Sequence, residues 1–145
     1  MLDKELSDFT DKNKPNLGLV SLDAPLISNL NVWINIALIK QYHQHLSEKK
    51  AELLVHECLQ KCGLQHVANK RSSVLTNKER FLVMLLRAAM VRDSIIVIDK
   101  PFEILPDVPD DKFIYDALKT IEDSFKECHI FDFAWFKDRY RMIHA

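Results

Sequence analysis

The second half of the chain contains three consecutive patterns: a helix start, a fully apolar helix body, and a buried strand that ends on an acid. Thr76 and Glu79 form a Thr-x-x-Glu capping box, which predicts that a helix begins there. Residues 81–90 are apolar on most sides of that helix, so we expect it to be deeply buried. Residues 95–98 are a β-branched run, typical of a strand covered on both faces, and Asp99 follows them. Elements buried this completely require other elements packed around them.

The other segments alternate between strand and helix patterns. We predict strands over residues 17–22, 129–131 and 141–143, and helices over residues 32–46, 47–62, 111–125 and 134–138. Ser47 is placed to cap the second of these helices, and Gly63 to end it in the left-handed conformation. The alternation predicts an α/β domain with a small, mostly parallel sheet, flanking helices and a helical subdomain over about residues 32–90.

Length and composition limit the class of protein. The 145 residues fit one domain, which we place at residues 15–145 behind a polar, flexible lead-in over residues 1–14. The net charge of -1 gives no general attraction to nucleic acid. The amino terminus is charged, unlike a secretory signal, and no stretch is long enough for membrane insertion. An odd cysteine count of 3 favours a reducing cytoplasm.

Several segments, in order, resemble the nucleotide-binding domain of ABC transporters. Residues 17–22 resemble the strand before the Q-loop, and residues 26–38 resemble the stretch after it. Residues 62–64 resemble the end of a helix in the helical subdomain, and residues 75–79, with Arg87 and Ala88, resemble the Leu-Ser-Gly-Gly-Gln signature region. Residues 95–101 resemble the Walker B strand. The resemblance implies a truncated P-loop NTPase-like fold without the amino-terminal Walker A portion.

The positions that the family uses for chemistry carry other residues. No Gly-x-x-x-x-Gly-Lys-Ser/Thr sequence occurs, and there are only 2 glycines. By resemblance, Leu22 replaces the Q-loop glutamine, Pro106 the D-loop aspartate and Lys100 the catalytic glutamate, and His129 is out of register with the switch histidine. We therefore expect no catalytic residue, no bound metal and no nucleotide binding at the vestigial positions, which are Leu22, Thr76, Asn77, Lys78, Glu79, Asp99 and Lys100. We also expect Lys100 or another base to neutralise Asp99 in place of a metal.

The first functional hypothesis is an ABC-type ATPase-like protein that does not hydrolyse ATP, needs no cofactor and acts by binding or scaffolding proteins. The resemblance implies a transporter membrane subunit, an ABC ATPase partner or a second copy as its partner, at the inner face of the membrane. One alternative is residual ATP and Mg²⁺ binding, or slow ATPase activity, completed by a partner. Another is a phosphoacceptor domain of the receiver type, with Asp99 as acceptor and Asp23 as a second acid.

Other candidate sites are better explained by packing or solvation. Cys58, Cys62 and His66 are spaced by four residues, as zinc ligands could be, but Gly63 is expected to end the helix before His66. His43 and His45 diverge on a helix and should face solvent. An aromatic group near the carboxyl end is expected to pack in the core; it consists of Phe131, Phe133, Trp135 and Phe136. The mixed-charge run over residues 137–141 is expected to face solvent.

Overall fold

A three-stranded parallel sheet lies at the centre of the computed structural model, which describes residues 2–143. Its strands are β1 (Leu17–Val20), β2 (Ile95–Asp99) and β3 (Glu127–Phe131), in the order β1-β2-β3. β2 pairs in parallel with both neighbours, and its residues Ile96, Val97 and Ile98 are each 0% exposed. The predicted α/β class, the parallel sheet and the buried central strand are confirmed.

The helices surround this sheet and explain the apolar periodicity of the sequence. They are α1 (Leu2–Asn13), α2 (Val32–His43), α3 (Glu48–Lys61), α4 (Asn77–Ala89), α5 (Pro101–Ile104) and α6 (Lys112–Thr120). Short 3-10 turns cover Lys14–Asn16, Gln65–Val67, Ser72–Val74, Glu122–Ser124 and Ala134–Arg139. The predicted start of α3 is confirmed, since the Ser47 side chain accepts a hydrogen bond from the Lys50 amide, and Gly63 follows the helix with φ +70°.

α4 packs directly on the face of the sheet that carries Gly18 and Val20. The contact is close at Gly18, where an added Cβ would lie 2.3 Å from the Ala88 carbonyl oxygen. A glycine is therefore required for the helix to approach the strand. α2 packs on both α3 and α4, so these three helices form one packed group that meets the sheet through α4. The buried apolar side chains of this core include Val32, Ile36, Val55, Leu59, Phe81, Leu85 and Ile98. The helical-subdomain boundary remains a prediction.

The opposite face of the sheet is covered by α1, where we predicted a flexible lead-in. That prediction is corrected by the helix over Leu2–Asn13. The overlooked signal is the stripe formed by Leu2, Leu6 and Phe9, which a helix places on one side. The Phe9 ring lies 4.5 Å from the His129 ring, and α1 also contacts β2. α1 thereby covers the face of the sheet that α4 leaves uncovered.

The last predicted strand, over residues 141–143, is absent from the structure. The carboxylate of Asp111 accepts hydrogen bonds from the backbone amides of Arg141, Met142 and Ile143, at 2.7–3.0 Å. Because these amides bind a side chain, they are not available to a strand ladder. Asp111 is 0% exposed, so it fixes the end of the described chain against the start of α6.

Within residues 2–143, none of the helices is both long enough and apolar enough to cross a bilayer.

Candidate functional site

The candidate site lies at the edge of the sheet where β1 and β2 end. The carboxyl ends of parallel strands share one edge, which is where open α/β sheets bind ligands. Ser21 follows β1, and its hydroxyl donates a hydrogen bond to Asp99 Oδ2 at 3.0 Å. Asp99 is 4% exposed, and its Oδ1 has no hydrogen-bond partner among the described residues. This edge therefore contains a buried carboxylate that is only partly satisfied.

Lys100 supplies the positive charge nearest to that carboxylate. Its Nζ lies 3.8 Å from Asp99 Oδ1 and 3.7 Å from Asp3 Oδ1 of α1. Alternation along a strand would separate neighbouring side chains, but Lys100 has φ +47° and has left the strand conformation. Asp99 and Lys100 thus form an ion pair, and the expectation that Lys100 or another base takes the place of a metal remains a prediction. Burial lowers the pKa of Lys100, but the nearby carboxylates, Asp99 and Asp3 first, outweigh this and raise the pKa above its usual value.

Thr76 and Glu79 are engaged in capping α4. The Glu79 amide donates to Thr76 Oγ1 at 3.1 Å, and the Thr76 amide donates to Glu79 Oε1 at 2.9 Å. The Thr76 amide hydrogen bond is the main cause of a lowered pKa of Glu79, and His66, 3.0 Å from Glu79 Oε2, adds to it. The predicted capping box is confirmed.

The two residues between them also make local contacts. The Asn77 side chain accepts a hydrogen bond from Arg80, and the Lys78 ammonium lies over the Phe113 ring, 5.2 Å from its centre. Neither of these contacts joins Asn77 or Lys78 to Asp99. The side chains at the start of α4 and those at the end of β2 thus form separate groups.

The loop after β1 is held in place although it is largely exposed. Leu22 is 53% and Ile27 is 44% exposed. Asn35 of α2 is buried, and its Oδ1 accepts a hydrogen bond from the Ile27 amide at 2.7 Å. Arg87 of α4 donates to the carbonyls of Pro25 and Ala24. Burial lowers the pKa of Arg87. Two helices therefore fix a loop that presents apolar side chains to solvent.

Sequence reasoning missed two members of the site, Ser21 and Asp3. Ser21 had a detectable signal, because it directly follows a predicted parallel strand, as Asp99 ends another. Asp3 had none, since its position depends on α1 packing across the sheet. Pro106, the predicted replacement for a D-loop aspartate, is exposed beyond α5. His129 contacts Phe9 and lies 3.6 Å from Glu127.

The structure does not bring Cys58, Cys62 and His66 together as a zinc site. Cys58 and Cys62 are half-buried, and burial raises the pKa of both thiols. His66 binds Glu79 instead. Among residues 2–143, no cluster of three or more His, Cys, Asp or Glu side chains is placed to hold a metal ion.

The structure describes the side chains of the aromatic group but only one side chain of the histidine pair. The His43 side chain lies outside the described part of the chain, and His45 is exposed. Trp135 stacks on Phe133 at 4.3 Å but is 71% exposed, whereas Phe136 packs on Phe102. The aromatic group is therefore only partly core.

The residues at the carboxyl edge do not by themselves fit magnesium. Mg²⁺ requires octahedral oxygen ligands and usually takes several from phosphates and water. At this edge Asp99 is the one buried carboxylate of the described residues, and the Ser21 hydroxyl already donates to it, while the exposed Asp3 carboxylate pairs with Lys100. The Lys100 ammonium, 3.8 Å from Asp99 Oδ1, would repel a second cation.

Comparison with known proteins identifies relatives of one kind. No family model matches the chain. It is 32% identical over 95 residues to the sulfate/thiosulfate import ATP-binding protein CysA of Synechocystis sp., covering 66% of this chain and 26% of the relative. It is 30% identical over 95 residues to the lipoprotein-releasing system ATP-binding protein LolD of Francisella tularensis, covering 66% and 39%. The chain thus spans between about a quarter and two fifths of the length of these relatives.

Solved structures agree with the sequence matches. A dimeric ATP-binding cassette in a post-hydrolysis state, bound to ADP and phosphate, has a TM-score of 0.63 and 25% identity, over 86% of this chain and 55% of that one. A dimeric bacterial ABC transporter cassette has a TM-score of 0.63 and 23% identity, over 86% and 56%. The homologues of this chain are thus ABC transporter ATP-binding proteins, and its fold is that of part of an ABC cassette.

Proposed function

We propose that this chain is an ABC-type ATPase-like protein that does not hydrolyse ATP and acts by binding other proteins. The observation that carries the proposal is the ion pair between Lys100 and Asp99, with Nζ 3.8 Å from Oδ1. Phosphoryl transfer depends on metal ions, positioning and charge stabilisation. A lysine at this position neutralises the acid that would otherwise attract a metal, and it cannot replace a glutamate in orienting water.

The start of α1 supports the same conclusion. A helix N-terminus favours anions and can hold phosphate. Here the first turn of α1 carries Asp3 and Glu5, and Asp3 Oδ1 lies 3.7 Å from Lys100. The start of α1 therefore carries two acidic side chains, and Asp3 pairs with Lys100. A triphosphate approaching Lys100 would have to displace Asp3 and would be repelled by these acids.

Calorimetric titration with ATP–Mg²⁺ tests the proposal. We expect no saturable heat up to about 1 mM nucleotide. A Kd of about 1 mM corresponds to a binding free energy of only about 4 kcal/mol. Lys100→Glu should bind Mg²⁺ more tightly than the wild type does, because it adds a carboxylate and removes a cation. Lys49→Glu, an exposed substitution on α3 with the same change in net charge, is the control. Saturable micromolar binding of ATP–Mg²⁺ by the wild type would overturn the proposal.

The loop after β1 supports the protein-binding part of the proposal. Its apolar side chains Leu22 and Ile27 are exposed, while Asn35 and Arg87 fix its backbone. A fixed apolar loop loses little conformational entropy when it binds. The relatives are named as ATP-binding proteins of import and lipoprotein-releasing systems. We therefore propose a transporter membrane subunit as the partner, with this chain peripheral at the cytoplasmic face.

Site-specific photo-crosslinking tests this part. A photoreactive residue at Ile27 should form adducts with an integral membrane protein in membrane fractions. The same group at Leu53, which is 60% exposed on α3, should not. Equal adducts from both positions, or adducts from neither, would contradict the proposed docking loop.

Residual nucleotide binding, completed by a partner, is the second candidate function. The buried Asp99 Oδ1 without a hydrogen-bond partner favours it, because a cation delivered with nucleotide would satisfy that oxygen. An ABC ATPase partner or a second copy could supply the remaining ligands, and both solved cassettes are dimeric. Repeating the ATP–Mg²⁺ titration on the purified complex separates this function from the first. The receiver hypothesis has less support, since Asp99 is only 4% exposed to a phosphodonor.

A further inference from the structure

Two cysteines lie one helical turn apart at the end of α3. Cys58 is within the helix and Cys62 caps its carboxyl end, and the Cys62 amide donates a hydrogen bond to the Cys58 carbonyl at 3.3 Å. The turn between them is therefore closed as in a regular helix, so both side chains lie on the same face. Both are free thiols, half-buried at the border of the apolar core. A small ion from solvent can therefore reach both sulfur atoms.

The spacing of the two thiols does not fit a disulfide within an undistorted helix. Residues four apart on a helix have Cβ atoms about 5–6 Å apart. A disulfide requires about 3.5–4.5 Å between the same atoms. The pKa of Cys62 is raised by burial first and next by the Cys58 thiol, which shows that the two sulfur atoms are near one another. The gap therefore fits a single atom that bridges the two sulfur atoms.

The charges around the pair fit a metal complex with a net negative charge. Burial, the largest effect, raises the pKa of both thiols, and Glu57 adds to this at Cys58. Lys61 acts on both thiols in the opposite direction, and Lys40 acts in this way on Cys58. With raised pKa values both groups are protonated at neutral pH, so a bound metal must displace two protons. Two thiolates around a monovalent cation leave one negative charge, which Lys40 and Lys61 offset.

We propose that Cys58 and Cys62 form a two-coordinate site for a soft monovalent cation, Cu(I). Thiolate ligands select Cu(I), which is stable with two sulfur ligands in a linear arrangement. A structural zinc site requires four ligands. His66, the next residue at the same spacing, binds Glu79 instead. Cu(I) binding at this pair does not depend on whether the chain binds nucleotide.

Anaerobic titration of the reduced full chain with the coloured Cu(I)–bicinchoninate complex tests the proposal. The chain should remove one Cu(I) per molecule, and X-ray absorption of the bound copper should show two sulfur ligands. Cys58→Ser and Cys62→Ser should each weaken binding by more than about 100-fold, because even outer-shell partners of metal ligands contribute about 10–100-fold. Cys128→Ser, at the third cysteine, is the matched control and should bind Cu(I) as the wild type does.

Substitution of a lysine separates the site from a general effect of the cysteines on folding. Lys61→Gln removes a positive charge beside both thiols and should weaken Cu(I) binding several-fold. Lys49→Gln, an exposed substitution at the other end of α3, should leave the binding unchanged.

Each contrary outcome is distinct. Failure of the folded wild type to remove Cu(I) from the complex would overturn the proposal. Retention of the tightly bound ion by both Cys58→Ser and Cys62→Ser would also overturn it, because other residues would then hold the copper. Cu(I) binding that occurs only together with a dimer in sedimentation would show that the two sulfur ligands come from different chains, and would overturn the site within α3.

Discussion

The middle of β2 and its carboxyl end differ in how completely their residues are packed and hydrogen-bonded. Ile96, Val97 and Ile98 are fully buried, with a strand paired on each side. One residue further, Asp99 has a buried oxygen without a hydrogen bond, and Lys100 adopts φ +47° between two carboxylates. The packing that builds the cassette-like sheet is therefore complete in the strand body, while the charged groups at its edge are held by an ion pair and one hydrogen bond. Substitutions in the two regions should have different consequences.

The largest effect should come from the body of the sheet, at Gly18. Gly18→Ala would place a Cβ 2.3 Å from the Ala88 carbonyl oxygen and 2.8 Å from its carbon, so α4 would have to move away from β1. We expect about 3 kcal/mol of destabilisation in urea unfolding. Gly63→Ala is the matched control, because nothing lies within 4 Å of its Cβ position and only the positive φ is unfavourable. It should cost about 1 kcal/mol. Equal losses from the two variants would contradict this account of the helix–sheet contact.

A smaller effect is expected at the end of the strand. Lys100→Met removes the cation beside Asp99 and leaves a buried carboxylate with the Ser21 hydroxyl as its hydrogen-bond donor. The free energy of unfolding should fall by about 1–2 kcal/mol. Asp99→Asn should offset part of this loss in the double variant, because the charge that lacked a partner is gone. Strictly additive losses in this double-mutant cycle would show that Lys100 does not neutralise Asp99.

The smallest effect concerns the start of α4 and depends on pH. The folded-state pKa of Glu79 is lowered, mainly by the Thr76 amide, so its charged form stabilises the fold. This contribution is present above the unfolded pKa of about 4.3 and is lost as the pH falls through the lower folded value. Glu79→Gln keeps an oxygen for the cap but has no charge. It should be less stable than the wild type by under about 1 kcal/mol at pH 7, and the difference should vanish in acid.

Unfolding by urea at several pH values measures this difference. Glu57→Gln, an exposed substitution on α3, is the control. A gap between wild type and Glu79→Gln that persists below pH 3 would contradict the role of the Glu79 charge.

Local patterns in the sequence predicted the elements that local forces determine. The β-branched run of β2, the Thr76–Glu79 capping box and the left-handed Gly63 follow from neighbouring residues. Contacts between distant residues were not predictable in this way. The segment 141–143 is shaped by Asp111, about thirty residues earlier in the chain, and the Asp3–Lys100 pair requires both α1 packing and the positive φ of Lys100.

NMR titration of the isotope-labelled full chain with ATP–Mg²⁺ tests the central claim most directly, because it reports on the amides of Ser21, Asp99 and Lys100 individually. If the ion pair with Lys100 takes the place of a nucleotide-bound metal, these signals should remain unshifted up to about 1 mM ATP–Mg²⁺. Saturable shifts confined to these residues, with half-saturation in the micromolar range, would contradict the claim and show that this edge still binds nucleotide.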